Sequence, residues 1–199
     1  MNKSSRQPVF VLKYRQPLSI LRTMTTKILY CHPATPNDSI QSLTVTIEQS
    51  PEDGLTLCYR LAGDLAKISI PTPRPPGASD GLWRNTCFEA FAAAETSVYH
   101  EFNFSPSGQW AAYAFDNYRA PAAWTIAAPP VIEVTQSAHQ LLLTARIAPG
   151  DLPIGRGLQL GLTAVVESID SSLSYWALHH PGERPDFHHR AGFVYPLVI

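Results

Sequence analysis

The chain has 199 residues, 15 basic and 16 acidic side chains, a formal net charge of −1 and a charged fraction of 16%, below the roughly 25% of an average soluble domain. That length suits one domain with a proper core. No run approaches the ~18 apolar residues of a membrane span, and a partnership with nucleic acid is not predicted.

The charge is unevenly placed. Residues 1–37 hold Lys3, Arg6, Lys13, Arg15, Arg22 and Lys27 and no acid, while nine basic and 16 acidic residues follow. A basic tail over residues 1–26 reads as a poorly ordered leader or as an early start, with Met24 as the true beginning. Val9-Phe10-Val11-Leu12 is too short for a signal-peptide core and runs straight into Lys13. Three cysteines, Cys31, Cys58 and Cys87, form no Cys-x-x-Cys pair. They read as free thiols in a reducing compartment, so a cytoplasmic location is expected.

From residue 27 to 199 the chain reads as a single domain. Ser42–Glu48 alternates Leu43, Val45 and Ile47 with polar residues, and a Pro51-Glu52-Asp53-Gly54 turn leads into a strand over Leu55–Leu61. A strand over Leu65–Ile70 is expected next, then a stiff proline loop over 71–77. Three aromatic strands follow between Asp80 and Asp116, the last two joined by Pro106-Ser107-Gly108. The Pro/Ala-rich stretch 118–130 is expected to cross between sheets. A hairpin over Val131–Thr135 and Leu141–Ile147, a long strand over Leu158–Ile169, a strand over Ser172–His179 and a closing segment Phe193–Ile199 complete the list. At least nine short strands and no sustained 3.6-residue period predict an all-β, antiparallel β-sandwich or barrel.

Strand parity then selects candidate site residues. With Phe102 and Phe104 in the core, Tyr99, Glu101 and Asn103 face the other way. With Tyr113 and Phe115 inward, Trp110 and Asp116 turn outward, and Arg146 does the same on its own strand. Glu89 shares a parity with Trp83 and Cys87. The result is a sheet face carrying Glu89, Glu101, Asn103, Asp116 and Arg146. A glycosidase would use two such acids, one with a raised pKa; ordinary solvated or arginine-paired acids account for them equally. His179-His180 and His188-His189 bracket the turn 181–187, in no zinc-binding spacing, and read as a loop cap held by imidazole hydrogen bonds. Trp83 and Trp176, flanked by polar residues, are the leading indoles to stack on a sugar ring.

Three segments carry a family resemblance. They are Leu82-Trp83-Arg84-Asn85-Thr86-Cys87-Phe88-Glu89-Ala90-Phe91, the run Tyr99-His100-Glu101-Phe102-Asn103-Phe104-Ser105-Pro106-Ser107-Gly108-Gln109-Trp110, and Leu173–Pro181 with Pro185–His189. Over about residues 28–199 the chain resembles the DOMON-like superfamily, which includes family 9 carbohydrate-binding modules. The resemblance implies a jelly-roll-like β-sandwich that holds a carbohydrate or a haem. In sugar-binding relatives two tryptophans grip the sugar; Trp83 and Trp176 best fit that role, with Arg84, Glu89 and Asn103 in the same motifs. In cytochrome relatives a Met and a His hold the iron, whereas Met1 and Met24 lie in or beside the tail.

The expectation is a non-catalytic domain that binds a carbohydrate or sugar-like ligand. Its candidate ligand-binding set is Trp83, Arg84, Glu89, Glu101, Asn103, Trp110, Trp176, His179 and His188, with no catalytic residue, metal ligand or cofactor. Two alternatives stand beside it. One is a haem domain with a bis-His site drawn from His100, His179 and His188. The other is a glycan-active enzyme using Glu89 and Glu101 or the His179–His189 cluster.

Overall fold

The computed structural model describes residues 23–197. Residues 1–22, most of the expected basic tail, lie outside the described residues, and Thr23–Thr26 are already paired in the first strand. The described chain is all-β, with four short 3-10 turns and no α-helix.

The strands in order are β1 (Thr23–Cys31), β2 (Ile40–Ser50), β3 (Gly54–Gly63), β4 (Gly77–Ala78), β5 (Cys87–Ala93), β6 (Tyr99–Phe104), β7 (Gln109–Asn117), β8 (Ala120–Ala122), β9 (Val131–Gln136), β10 (Gln140–Ile147), β11 (Gln159–Glu167), β12 (Leu173–Ala177) and β13 (Tyr195–Pro196). Eleven form one continuous path, β4-β7-β6-β5-β11-β12-β1-β2-β3-β10-β9, while β13 pairs with β11 and β8 with β7. All pairings are antiparallel except β4 with β7. The all-β, antiparallel expectation holds, and the path curls into a half-barrel in which one sheet bends around its own core.

β1 makes the bend. Its first seven residues pair with β2, and Tyr30 and Cys31 pair with β12. The alternation read in the sequence fills the inside. Leu43, Val45 and Ile47 from β2, Leu55, Leu57, Tyr59 and Leu61 from β3, and Leu141, Leu143 and Ile147 from β10 meet Phe88, Phe102, Phe104, Leu160 and Leu162 from the other half.

A second, smaller cluster lies on the opposite face of β5–β7: Phe91, Ala93, Tyr99, Phe115 and Phe193. The loop after β12 lies over this face. Gly161 on β11 makes room for it, because a Cβ there would stand 2.6 Å from Phe193 Cδ1. β5 and β6 are therefore buried on both faces.

Three expectations about the elements need correction. Leu65–Ile70 is not a strand: Leu65–Lys67 is a 3-10 turn and only Ile68 pairs, with Ser168. The three-residue period of such a turn places both Leu65 and Ile68 in the core, a result that strand alternation cannot give. The stretch after Tyr118 does not cross over at once. Ala120–Ala122 first folds back along β7. The parity of β7 is inverted: Glu101 lies opposite Tyr113 and Tyr99 opposite Phe115, so Tyr113 and Phe115 share the Glu101 face and Trp110 shares that of Phe104.

Candidate functional site

The face of β5–β7 opposite the main core, the end of β12 and the loop after it enclose a cleft of about 890 Å³. Its floor comes from neighbouring strands. Glu89 on β5 and Glu101 on β6 are offset by two positions in register, since Glu89 lies opposite Asn103 and Phe91 opposite Glu101. Alternation turns all four to the cleft side, where the covering loop buries them. The face read from the sequence as a polar surface is thus an interior.

Two buried carboxyl groups on one floor need donors. Asn103 Nδ2 donates to Glu101 Oε1 at 2.7 Å, and Thr163 Oγ1 on β11 donates to Glu89 Oε2 at 3.2 Å. From the main core, Tyr59 OH donates to the Glu89 backbone carbonyl at 2.7 Å. Burial raises the pKa of Glu101 to about 6, against the Asn103 hydrogen bond and the charge of Arg119. Burial and then the neighbouring Glu101 push the Glu89 pKa well above the ordinary carboxylate value, which favours its protonated form.

His188 stands over this floor. Its Nδ1 lies 2.8 Å from Tyr99 OH, and its Nε2 lies 3.7 Å from Glu101 Oε2. That separation is within ion-pair range, but burial and then the Arg119 charge lower the His188 pKa to about 4. Near neutral pH the contact therefore joins a neutral imidazole to an acid. A carboxylate only accepts, so the ring proton belongs on Nε2, and Tyr99 OH donates to Nδ1 while accepting the Arg119 backbone N–H at 3.1 Å.

Arg119 is held in the left-handed region at φ 50°, an unfavourable conformation for a residue with a Cβ. Its guanidinium meets Asp186 Oδ1 at 3.0 Å, and Tyr118 OH donates to Asp186 Oδ2 at 2.9 Å. Burial opposes ionisation of Asp186, yet these two hydrogen bonds and the Arg119 charge hold its pKa below the usual range. The pair fastens the covering loop to the β7–β8 turn.

Aromatic rings wall the cleft: Trp83, Phe91, Tyr113, Phe115, Tyr175 and Phe187. Trp83 sits in a 3-10 turn, Leu82–Arg84, that follows Gly81 at φ 73°, and it is 47% exposed, which leaves a ring face open at the mouth. Tyr113 OH donates to Asp80 Oδ1 at 3.0 Å; burial and this acid push its pKa up to about 12.

Of the nine sequence-selected residues, Trp83, Arg84, Glu89, Glu101 and His188 line the cleft. Asn103 lies directly behind it, bonded to Glu101. Three lie elsewhere. Trp176 belongs to the main core, with Nε1 donating to Ser174 Oγ, because its neighbour Tyr175 takes the cleft side of β12. Trp110 faces with Phe104 away from the cleft. His179 follows the end of β12, where alternation no longer applies, and is exposed outside the cleft. Arg146, placed by parity on the same face, pairs with Glu133 across β9–β10 in the other half of the sheet. Asp116 is exposed at the end of β7.

His180 and His189 are loop fasteners, as expected of a cap. His180 Nε2 bonds the Tyr30 carbonyl at 2.8 Å, and His189 Nδ1 accepts from Ala191 N–H. His100, on the main-core side of β6, stacks on Trp124 at 4.3 Å. His100 and His188 thus lie on opposite faces of one sheet and do not converge on a shared iron. No group of three metal-ligating side chains assembles among the described residues.

Sequence reading missed Tyr113 and Phe115, which it assigned to the core, and it gave no role to Asp80, Tyr175, Arg184 or Phe187; Arg119 entered it only as a partner for the acids, and it does pair with Asp186. The adjacency of Tyr118-Arg119 to an Asn117 turn was the available signal for Arg119; the loop residues had none.

No family model and no curated protein matches this sequence. A solved structure described as a "putative carbohydrate-binding protein from Bacteroides uniformis" is similar over 86% of this chain and 84% of that one. Its TM-score is 0.58 and its identity 14%, a likeness that extends to the fold.

Proposed function

We propose that the cleft binds a carbohydrate without turning it over. The observation that carries this reading is the pairing of an open indole, Trp83, and a ring-lined wall with a floor of hydrogen-bonding acids, Glu89 and Glu101, in one cleft of about 890 Å³. Sugars present an apolar ring face to aromatic side chains and a rim of hydroxyls to polar ones. The two carboxyl groups offer hydrogen-bonding oxygens, and the fixed bonds from Thr163 and Asn103 hold each in place. The fold shared with a protein described as carbohydrate-binding supports the same reading. So does the resemblance to DOMON-like domains and family 9 carbohydrate-binding modules, on which the curled sheet is a variant of their jelly-roll sandwich. A cytoplasmic setting, in keeping with three free thiols, belongs to this proposal.

The test is a glycan array probed with the full chain and with Trp83→Ala. Binding of at least one glycan by the parent and its loss in the variant is the expected result. A parent that binds none, or a variant that binds as the parent does, ends the proposal.

One observation favours a second reading. Two buried carboxyl groups on one floor, both with raised pKa, are the residue types of acid–base glycoside chemistry. Release of reducing sugar from a bound glycan, abolished in Glu89→Gln, would replace simple binding by hydrolysis.

A further inference from the structure

The three arginines of the cleft are not equivalent. Arg119 is engaged with Asp186 and Tyr118. Arg84 and Arg184 line the same cleft from different segments, the 3-10 turn after Gly81 and the loop after β12, and both are exposed. Neither forms an ion pair among the described residues. The Arg84 guanidinium lies 5.2 Å from the Trp83 ring centroid, so positive charge sits against the indole at the mouth. The acids of the cleft make no ion pair with either arginine: Glu101 accepts from Asn103, Asp80 accepts from Tyr113, and Glu89 accepts from Thr163.

A guanidinium is a planar fork of donors that matches the paired oxygens of a carboxylate or sulfate. A neutral sugar offers it no such partner. Building on the sugar reading above, we infer that the cleft selects sugars bearing an anionic group, the carboxylate of a uronic acid or a sulfate ester. Arg84 and Arg184 hold the anion while the aromatic wall holds the ring. The division of labour puts the exposed arginines at the rim and the buried acids on the floor. Exposed arginines draw the anion in, and that attraction weakens with salt.

The experiment is calorimetric titration of the full chain at low ionic strength with three pairs of probes. These are oligogalacturonate and its methyl ester, glucuronoxylan oligosaccharides and their carboxyl-reduced form, and a sulfated galactan oligosaccharide and its desulfated form. The expected result is at least tenfold tighter binding of the charged member in one or more pairs. Arg84→Gln with Arg184→Gln abolishes the preference, so that the two members of the pair bind alike. Arg146→Gln, on the far half of the sheet, keeps the preference, which separates a local site from net charge. A preference confined to the uronate pairs assigns a carboxylate, and one confined to the galactan pair assigns a sulfate. Equal binding within every pair overturns the inference and leaves the sugar reading standing, as does a preference that survives in the double variant. Binding of no probe overturns both.

Discussion

Asn103 donates to Glu101 across 2.7 Å, both side chains buried on the cleft face of β6. Two residues apart on one strand, they share a face by geometry alone. The bond restrains a carboxyl that burial nevertheless carries to a pKa of about 6. The Cys87 thiol approaches Asn103 Oδ1 at 3.7 Å and closes the network beneath the floor.

Asn103→Ala strips Glu101 of its donor. The Glu101 pKa then climbs above its present value of about 6, read by carboxyl NMR titration. Its folded pKa already exceeds the ordinary 4.5, so the fold holds this proton more tightly than the unfolded chain does. Stability from this group is present below pH 4.5 and falls as pH rises through 6. The variant loses about 1–3 kcal/mol at pH 7.5 in urea unfolding, and less at pH 5. A Glu101 titration unmoved by the substitution contradicts the network.

His188 works in the opposite sense. Its pKa in the fold, about 4, lies below the ordinary 6.5, so the fold binds this proton less tightly than the unfolded chain. Stability from this group is present above pH 6.5 and drains away as pH falls towards 4. Tyr99, Glu101, Arg119 and Asp186 are the titratable groups that face or influence it. His188→Gln loses ring packing against Phe91 and Phe115 at every pH. It also flattens the acid limb by roughly 2 kcal/mol after allowance for partial exposure. Melting temperatures recorded from pH 4 to 7.5 check this. An acid limb of unchanged steepness in the variant counts against a buried, neutral His188.

The two leading tryptophans separate by stability. Trp176, 7% exposed in the main core, costs about 3–5 kcal/mol when cut to alanine. Trp83, 47% exposed, costs less than about 1 kcal/mol. Guanidinium unfolding of both variants is the measurement, and similar losses in the two would place Trp83 in a packed setting that its exposure does not indicate.

Much of the fold was legible along the chain. The alternation of Leu43, Val45 and Ile47, and of Leu141, Leu143 and Ala145, predicted which side of β2 and β10 is buried. The same rule put Glu101 and Asn103 together, because side-chain direction within one strand is a local property. It failed at β7, where both faces are covered and Tyr113 and Phe115 resemble core residues from either side. It failed again at Leu65–Lys67, where a 3-10 turn replaces the period of two.

The amino-acid sequence by itself determined most of the long β-strands, the inward faces of β2, β3 and β10, and the presence of acids near tryptophan. Tertiary structure alone decided that the acids are buried, that Trp83 and not Trp176 is open, and that Arg84 and Arg184 share a cleft with them. The physical reason is range. Strand parity acts between neighbours, whereas burial depends on the loop that Gly161 and Phe193 let settle over a face built from strands far earlier in the chain.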